Sequence, residues 1–302
     1  MAGLEAELSA LGELKENEAM SSHCSFRAGG PARYMLTVAD TEKLEKALAV
    51  ITENGLPWFL LGRGSNLLVS DSGFDGVVIC LGESFRQIAV KGSSLTAGAA
   101  VLLSKAASEA AEAELGGLEF ASGIPGSIGG AVAMNAGAYD GEIRDVLESA
   151  TVLFPGKGIK ELSNAEMHFS YRHSILKEQT GILLQARFSL HFDAKKAIIE
   201  RMKTLQQKRR EKQPLELPSA GSTFKRPEGA FAGKLITEAG CKGMREGGAV
   251  VSEKHAGFIV NDAKATAADI YRLTCRVQDA VFSESGIMLE REIILLGDFG
   301  TI

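Results

Sequence analysis

Five consecutive residues, Gly62-Arg63-Gly64-Ser65-Asn66, combine two glycines with two short polar side chains and a guanidinium. Glycine has no Cβ, so backbone amides beside it can approach an anion closely and adopt φ > 0. Ser65 and Asn66 add side-chain donors. A second glycine-rich stretch, Gly123-Ile124-Pro125-Gly126-Ser127-Ile128-Gly129-Gly130, offers further amides. Two such loops suit a pyrophosphate held between them. One loop alone is as well read as an ordinary turn, but two of them, the second within a long patterned run from Gly116 to Gly141, are harder to read that way.

The familiar phosphate and nucleophile motifs are absent. A Rossmann fingerprint needs a third glycine and then a helix, whereas Leu67-Leu68-Val69 follows here and reads as a strand. There is no G-x-x-x-x-G-K-[ST] and no G-x-S-x-G, since Pro125 stands two places before Ser127. The four cysteines and five histidines lack metal-ligand spacing, so no metal site is expected.

The elements that must position these loops follow from local patterns. Trp58 to Leu61 and Leu67 to Val69 read as strands flanking the first loop. Thr41 is placed to cap a helix carrying Leu44, Leu48 and Ile51. Val77 to Cys80, Ile88 to Val90, Ser94 to Ala97, Ala150 to Leu153 and Gly181 to Ala186 read as further strands, and the alanine-rich stretch from Val101 to Glu114 as a helix. Asp193 to Gln213 predicts a charged helix stopping before Pro214. Thr266 and Asp269 predict a capped helix closed by Gly286, followed by a strand from Ile287 to Leu296. The stretch from Met1 to Met20 is acidic and has leucines at helical spacing.

The bulk properties narrow the class. A chain of 302 residues accommodates two or three domains. The net charge of −5 argues against a general nucleic-acid binder, whose affinity would rest on a basic surface. No run approaches the roughly 20 apolar residues of a membrane span, and the N-terminus lacks a secretory signal, so no membrane insertion and a cytoplasmic location are expected.

With these motifs assembled, the chain resembles the UDP-N-acetylenolpyruvoylglucosamine reductases, also called UDP-N-acetylmuramate dehydrogenases. The first glycine loop with Leu67-Leu68-Val69 resembles that family's first flavin loop. The second, with Asn135-Ala136-Gly137-Ala138-Tyr139, resembles its other flavin loop. Tyr171-Arg172-His173-Ser174, Ala220 to Pro227, Ser252 to Asn261 and Leu289-Glu290-Arg291-Glu292 agree in order. The short distance from Arg172 to the strand at Ile182 resembles the subtype without an extra tyrosine-bearing loop.

The resemblance implies an α+β fold: a two-domain FAD-binding module of the vanillyl-alcohol-oxidase-like (PCMH) type and a C-terminal α/β substrate-binding domain. The expected boundaries are 1–82, 83–205 and 206–302. It implies FAD and NADPH as cofactors, a UDP-sugar enolpyruvyl ether as substrate, and a place in peptidoglycan synthesis. The protein is taken as a monomer. Expected cofactor contacts are Gly62, Arg63, Gly64, Ser65, Asn66, Gly123, Ile124, Pro125, Gly126, Ser127, Gly129, Gly130, Asn135 and Gly137. Expected substrate contacts are Tyr171, Lys225, Arg226 and His255. Arg226 stands where some relatives have asparagine, and His173 where aspartate is often found.

Such a reaction needs a hydride carrier, which no side chain can be, a cation for the charge developing toward the carboxylate, and a proton for carbon. By the resemblance, Arg172 is that cation, Ser222 the proton donor and Glu292 the assisting carboxylate. On spacing alone, Arg172 reads as a structural ion pair and Ser222 as a turn serine. In a regular strand Glu290 and Glu292 share one face, so spacing cannot choose between them. Lys208-Arg209-Arg210 and Lys225-Arg226 add positive charge that could attract a diphosphate, although a charged helix end is usually just solvated. Two alternatives stay open: an FAD oxidase of the vanillyl-alcohol type, and a non-catalytic nucleotide-sugar-binding protein.

Overall fold

The computed structural model describes residues 2–300. The chain forms two compact units. The first contains the N-terminal residues to Leu14, with Leu36–Arg63 and Val78–Arg209. The second contains Lys15–Met35, Gly64–Val77 and the stretch from Arg210 onward. The helix Lys195–Lys212 runs unbroken across residue 206.

The core of the first unit is a five-stranded antiparallel sheet. Its order is Gly158–Ser163, Leu147–Phe154, Ile182–Ser189, Ser94–Gly98, Ile88–Lys91. Ile182–Ser189 alternates buried and exposed positions over its second half, as expected where one face meets a core. The helix Ile128–Ala133 packs on that strand, which anchors the second glycine loop to the sheet. The helix Thr41–Glu53 buries Leu44, Ala47, Leu48 and Ile51. Its cap is Asp40, whose carboxylate accepts from Lys43 N at 2.9 Å, rather than Thr41.

A second sheet has the order Gly12–Ala19, Pro31–Val38, Phe74–Leu81, Trp58–Leu61, and its residues are divided between the units. The N-terminal helix therefore stops at Leu11, and Leu14 lies in a strand instead of continuing a helical stripe.

In the second unit, Arg245–Glu246, Ala249–Val251 and Ile259–Asn261 form a small antiparallel sheet against the helix Ala267–Ser285. That helix starts at the expected capping box, Thr266 with Asp269, and ends at Gly286 in the left-handed region. Beyond it, the expected strand from Ile287 shrinks to Ile294–Leu296, which pairs in parallel with Leu67–Val69. The stretch before it keeps a single antiparallel bridge, Arg291 with Phe224, and the Arg291 side chain turns to the helix. Its guanidinium donates to Thr274 Oγ1 at 2.7 Å and to Cys275 Sγ at 2.9 Å. The bridge is flanked by the bonds Lys225 N to Glu290 O and Glu292 N to Thr223 O, so Glu290 and Glu292 flank Arg291 on the opposite face, as alternation expects. The two strands beside the first glycine loop are both present and belong to different sheets.

Candidate active site

The first glycine loop presents a row of unpaired donors. The backbone N–H groups of Gly62, Arg63, Gly64, Ser65 and Asn66 donate to no acceptor among the described residues. Of the five only Gly64 is buried, while Gly62 and Arg63 are exposed, so the run of amides is open to solvent or to an anion. Gly64 is buried at φ +59°, and a Cβ there would lie 2.8 Å from Cys24 Cα and against the His23 carbonyl. Gly64→Ala is expected to lower stability by more than ~2 kcal/mol, from left-handed strain of about 1–2 kcal/mol plus the backbone clash. Gly62→Ala meets only the Ser127 side chain and should cost less. Urea unfolding midpoints of the two variants check the order; equal shifts would contradict it.

The second loop lies against the first within the same unit, where a Cβ added to Gly62 would be 2.8 Å from Ser127 Oγ. Ser127 is buried and caps the following helix through Gly130 N. Most amides of this loop serve the fold. Ile124 N, Gly126 N, Ile128 N and Gly129 N reach carbonyls of Ala121, Ile124, Val101 and Ala99 at 2.8–3.1 Å. The many free amides expected here are absent, and Ser127 N is the donor left over among the described residues. Gly129 also sits close to Ala99, 3.2 Å from its carbonyl at a Cβ position, so the glycine is needed for packing.

Asn135 and Gly137 face protein. Asn135 is fully buried at φ 41°. Its amide donates to Glu142 Oε2 at 3.0 Å and to Ser170 O at 3.1 Å, and its Oδ1 accepts from Arg144 N at 3.0 Å. Gly137 pairs with Glu142, whose Cβ would meet an added methyl at 2.8 Å. These three bonds engage the Asn135 side chain as a brace between neighbouring segments.

What Asn135 positions is the tip bearing Tyr171 and Arg172. Ser170 N donates to His173 O at 3.2 Å, and His173 N to Ser170 O at 3.1 Å, so the two residues between form a tight turn. Arg172 has φ 56° while Tyr171 is not left-handed, the pattern of a type II turn that normally takes glycine. The guanidinium lies 4.9 Å from the centre of the exposed Tyr171 ring. Below the tip, Ser174 is buried and its hydroxyl donates to Ala133 O at 2.8 Å, while His173 pairs with Glu178. Asn135→Ala is expected to cost about 1–3 kcal/mol, since it strands the Arg144 amide and loses the brace on Ser170. It should lower kcat while FAD retention holds. Parallel loss of FAD would instead place Asn135 at the cofactor.

In the second unit the remaining candidates gather around Thr223. Its N–H donates to Gly257 O at 2.8 Å, its hydroxyl accepts from Ile259 N at 3.0 Å, and its carbonyl accepts from Glu292 N at 2.8 Å. Asn66 Nδ2 donates to Glu292 O at 3.0 Å. Ser222, Glu292 and the second half of the first loop are therefore tied together through backbone. Gly221 holds φ +75° and sets up Ser222, whose half-buried hydroxyl makes no hydrogen bond among the described residues. Glu292 is half-buried, while Glu290 is exposed and paired with Lys225. That distinguishes the two glutamates, which spacing could not. An exposed pair is worth little, so Lys225 is easily redirected to a ligand.

His255 is half-buried. Its Nδ1 accepts from Gly257 N at 3.1 Å, which leaves Nε2 as the donor of the neutral ring. Burial pushes its pKa below the ordinary value, favouring that neutral form. Arg226 lies 4.7 Å from the centre of the exposed Phe231 ring. Tyr171 and Arg172 belong to the first unit; Ser222, Lys225, Arg226, His255 and Glu292 belong to the second. Sequence reasoning missed Thr223, Arg291 and the bracing roles of Asn66 and Asn135. Thr223 and Arg291 lay inside quoted motifs, but nothing local marked them as braces.

Among the described residues no group of three or more potential ligands is placed to hold a metal, and the four cysteines are free thiols. No described helix is long and apolar enough to cross a membrane.

Comparison with known proteins agrees with this geometry. Residues 213–296 match the family model described as UDP-N-acetylenolpyruvoylglucosamine reductase, C-terminal domain. Residues 32–163 match an FAD binding domain. The UDP-N-acetylenolpyruvoylglucosamine reductase of Agathobacter rectalis is 48% identical over 298 residues, 95% of each chain. That of Caldanaerobacter subterraneus is 48% identical over 287 residues, again 95% of each. Among solved structures, UDP-N-acetylenolpyruvylglucosamine reductase from Thermus caldophilus superposes with a TM-score of 0.81 at 37% identity, covering 95% of this chain and 99% of that one.

Proposed function

This chain belongs to the UDP-N-acetylenolpyruvoylglucosamine reductase family, and on that footing we propose that it reduces the enolpyruvyl ether of a UDP-sugar with electrons from NADPH. The product would be UDP-N-acetylmuramate, a precursor of peptidoglycan, made in the cytoplasm. The resemblance-based division at 1–82, 83–205 and 206–302 is part of the same reading.

The residues fit a flavin dinucleotide. The contiguous unpaired amides from Gly62 to Asn66 suit a pyrophosphate, and Ser127 N lies in the unit where Ser127 abuts Gly62. Gly64 permits the left-handed turn that shapes this row of amides. When bound, FAD supplies the two-electron redox chemistry that side chains lack.

The protein's own part is to hold the substrate and manage charge and protons. Arg172 offers a planar, permanently charged fork to the enolpyruvyl carboxylate, and it polarises that group as negative charge develops there. Ser222 delivers a proton from Oγ to the carbon beside the carboxylate. A serine is a weak acid, so it serves only an acceptor as basic as a carbanion. Glu292, fixed through its N–H on Thr223 O, supports this transfer. Lys225 and Arg226 attract the diphosphate, and the His255 Nε2–H donates to the substrate. The observation that carries this reading is the unengaged Ser222 hydroxyl, one residue from the carbonyl that holds Glu292. Purified protein should be yellow and release FAD on denaturation. It should lose its colour with NADPH and form UDP-N-acetylmuramate from the enolpyruvyl substrate. Colourless protein without affinity for FAD would refute the reading.

A further inference from the structure

Arg209 lies near the end of the helix Lys195–Lys212, and its guanidinium donates to the carbonyl of Gly123, the first residue of the second glycine loop. The arginine stem packs there as well, with Cδ 3.3 Å from the position of a Cβ at Gly123. The residue is half-buried, and no carboxylate pairs with it among the described residues. Arg201, two turns earlier on the same helix, contrasts with it by gripping both Glu119 and Asp193. A guanidinium carries five N–H donors, and one carbonyl acceptor leaves most of them available.

Desolvating a cation is costly unless an anion compensates it. Burial lowers the Arg209 pKa, while Tyr139, the nearest acidic group acting on it, is a phenol that is neutral at pH 7. A simple loop clamp does not need a charge, because a neutral donor would serve the Gly123 carbonyl equally well. The placement makes sense if a second acceptor, bearing negative charge, arrives at the same loop. Within this unit the loop's Ser127 also abuts Gly62, so the loop that Arg209 holds adjoins the start of the first glycine segment.

We propose that Arg209 is a ligand to a phosphate of the dinucleotide, donating to it while holding the second glycine loop through Gly123 O. This rests on the reading that FAD occupies these loops, and it adds a residue that the glycine pattern does not contain. It also explains why one arginine of an otherwise solvated basic helix end turns inward.

The test is flavin binding to the apoprotein, followed by flavin fluorescence, with FAD and riboflavin as probes. Riboflavin carries the ring without phosphates. For Arg209→Gln, FAD affinity should fall roughly 10- to 100-fold, as expected when a charge-assisted hydrogen bond is lost. Riboflavin affinity should stay within about twofold of the wild-type value. Arg209→Lys keeps the charge and should recover part of the loss. Thermal unfolding gives a second readout: the apoprotein Tm should be unchanged in Arg209→Gln, and the rise in Tm on adding FAD should shrink. Unchanged FAD affinity would overturn the proposal, as would parallel weakening of FAD and riboflavin with a lower apoprotein Tm. If the wild-type apoprotein binds neither flavin, the reading of the glycine loops itself fails. That outcome is distinct from a defect confined to the variants.

Discussion

FAD-loaded Ser222→Ala should still lose its colour with NADPH at close to the wild-type rate, while the return of colour with the enolpyruvyl substrate slows by about 10²–10⁴-fold. The asymmetry follows from where the hydroxyl acts. It is needed only once the substrate carbon has become basic, so NADPH oxidation does not depend on it. The local structure makes the substitution clean. Ser222 Oγ makes no hydrogen bond among the described residues, and the neighbouring backbone is held by Thr223 through Gly257 O, Glu292 N and Ile259 N. Gly221, not Ser222, bears the left-handed conformation. Alanine should therefore leave the fold and the Tm unchanged. Equal slowing of both half-reactions would make Ser222 structural, and the proton would have to come from elsewhere.

Arg172→Gly should cost activity far more than stability. Removing the guanidinium should lower kcat/KM by about 10²–10³, the usual loss for one preorganised donor to developing negative charge. Yet glycine is the residue that a type II turn prefers at φ 56°. Relief of left-handed strain is worth about 1–2 kcal/mol. Loss of the Tyr171 ring contact, about 0.5–1 kcal/mol at an exposed site, and the larger unfolded-state entropy of glycine offset part of this. Any fall in stability, read as the apoprotein Tm, should therefore be small beside the loss of activity. Arg172→Lys keeps the charge but loses the bidentate fork, and should fall between. If Arg172→Gly lost stability in step with activity, the arginine would be part of the scaffold. Strain kept at one exposed tip, braced from below by Asn135, is what a functional side chain in a glycine position would look like.

The sequence made some of this legible and hid the rest for identifiable reasons. The glycine loops, the Thr266–Asp269 cap and several of the sheet strands are encoded locally and were readable. Pairing partners are not local. Leu67–Val69 reads as a strand after the first loop, but nothing local shows that it pairs with Ile294–Leu296 at the far end of the chain. Hydrophobic alternation identified a strand beyond Ile287, but not that Arg291 would be pulled onto Thr274 and Cys275. The Gly158–Ser163 strand escaped because its residues are mostly exposed and lack an apolar rhythm. Asn135 lay within a flavin motif and was assigned to the cofactor with its neighbours. Only the hydrogen bonds of its buried side chain reveal that it braces the Ser170 turn. Arg209 sat in a cluster of three basic residues, where composition favours three solvated side chains, and the inward turn of one is visible only in the packing against Gly123.

The most direct trial of the account is an anaerobic titration of the purified yellow protein, watched by flavin absorbance. One equivalent of NADPH should remove the colour, and one equivalent of UDP-N-acetylglucosamine enolpyruvate should then restore it with stoichiometric formation of UDP-N-acetylmuramate. A flavin that NADPH reduces but that only oxygen can reoxidise would contradict the account.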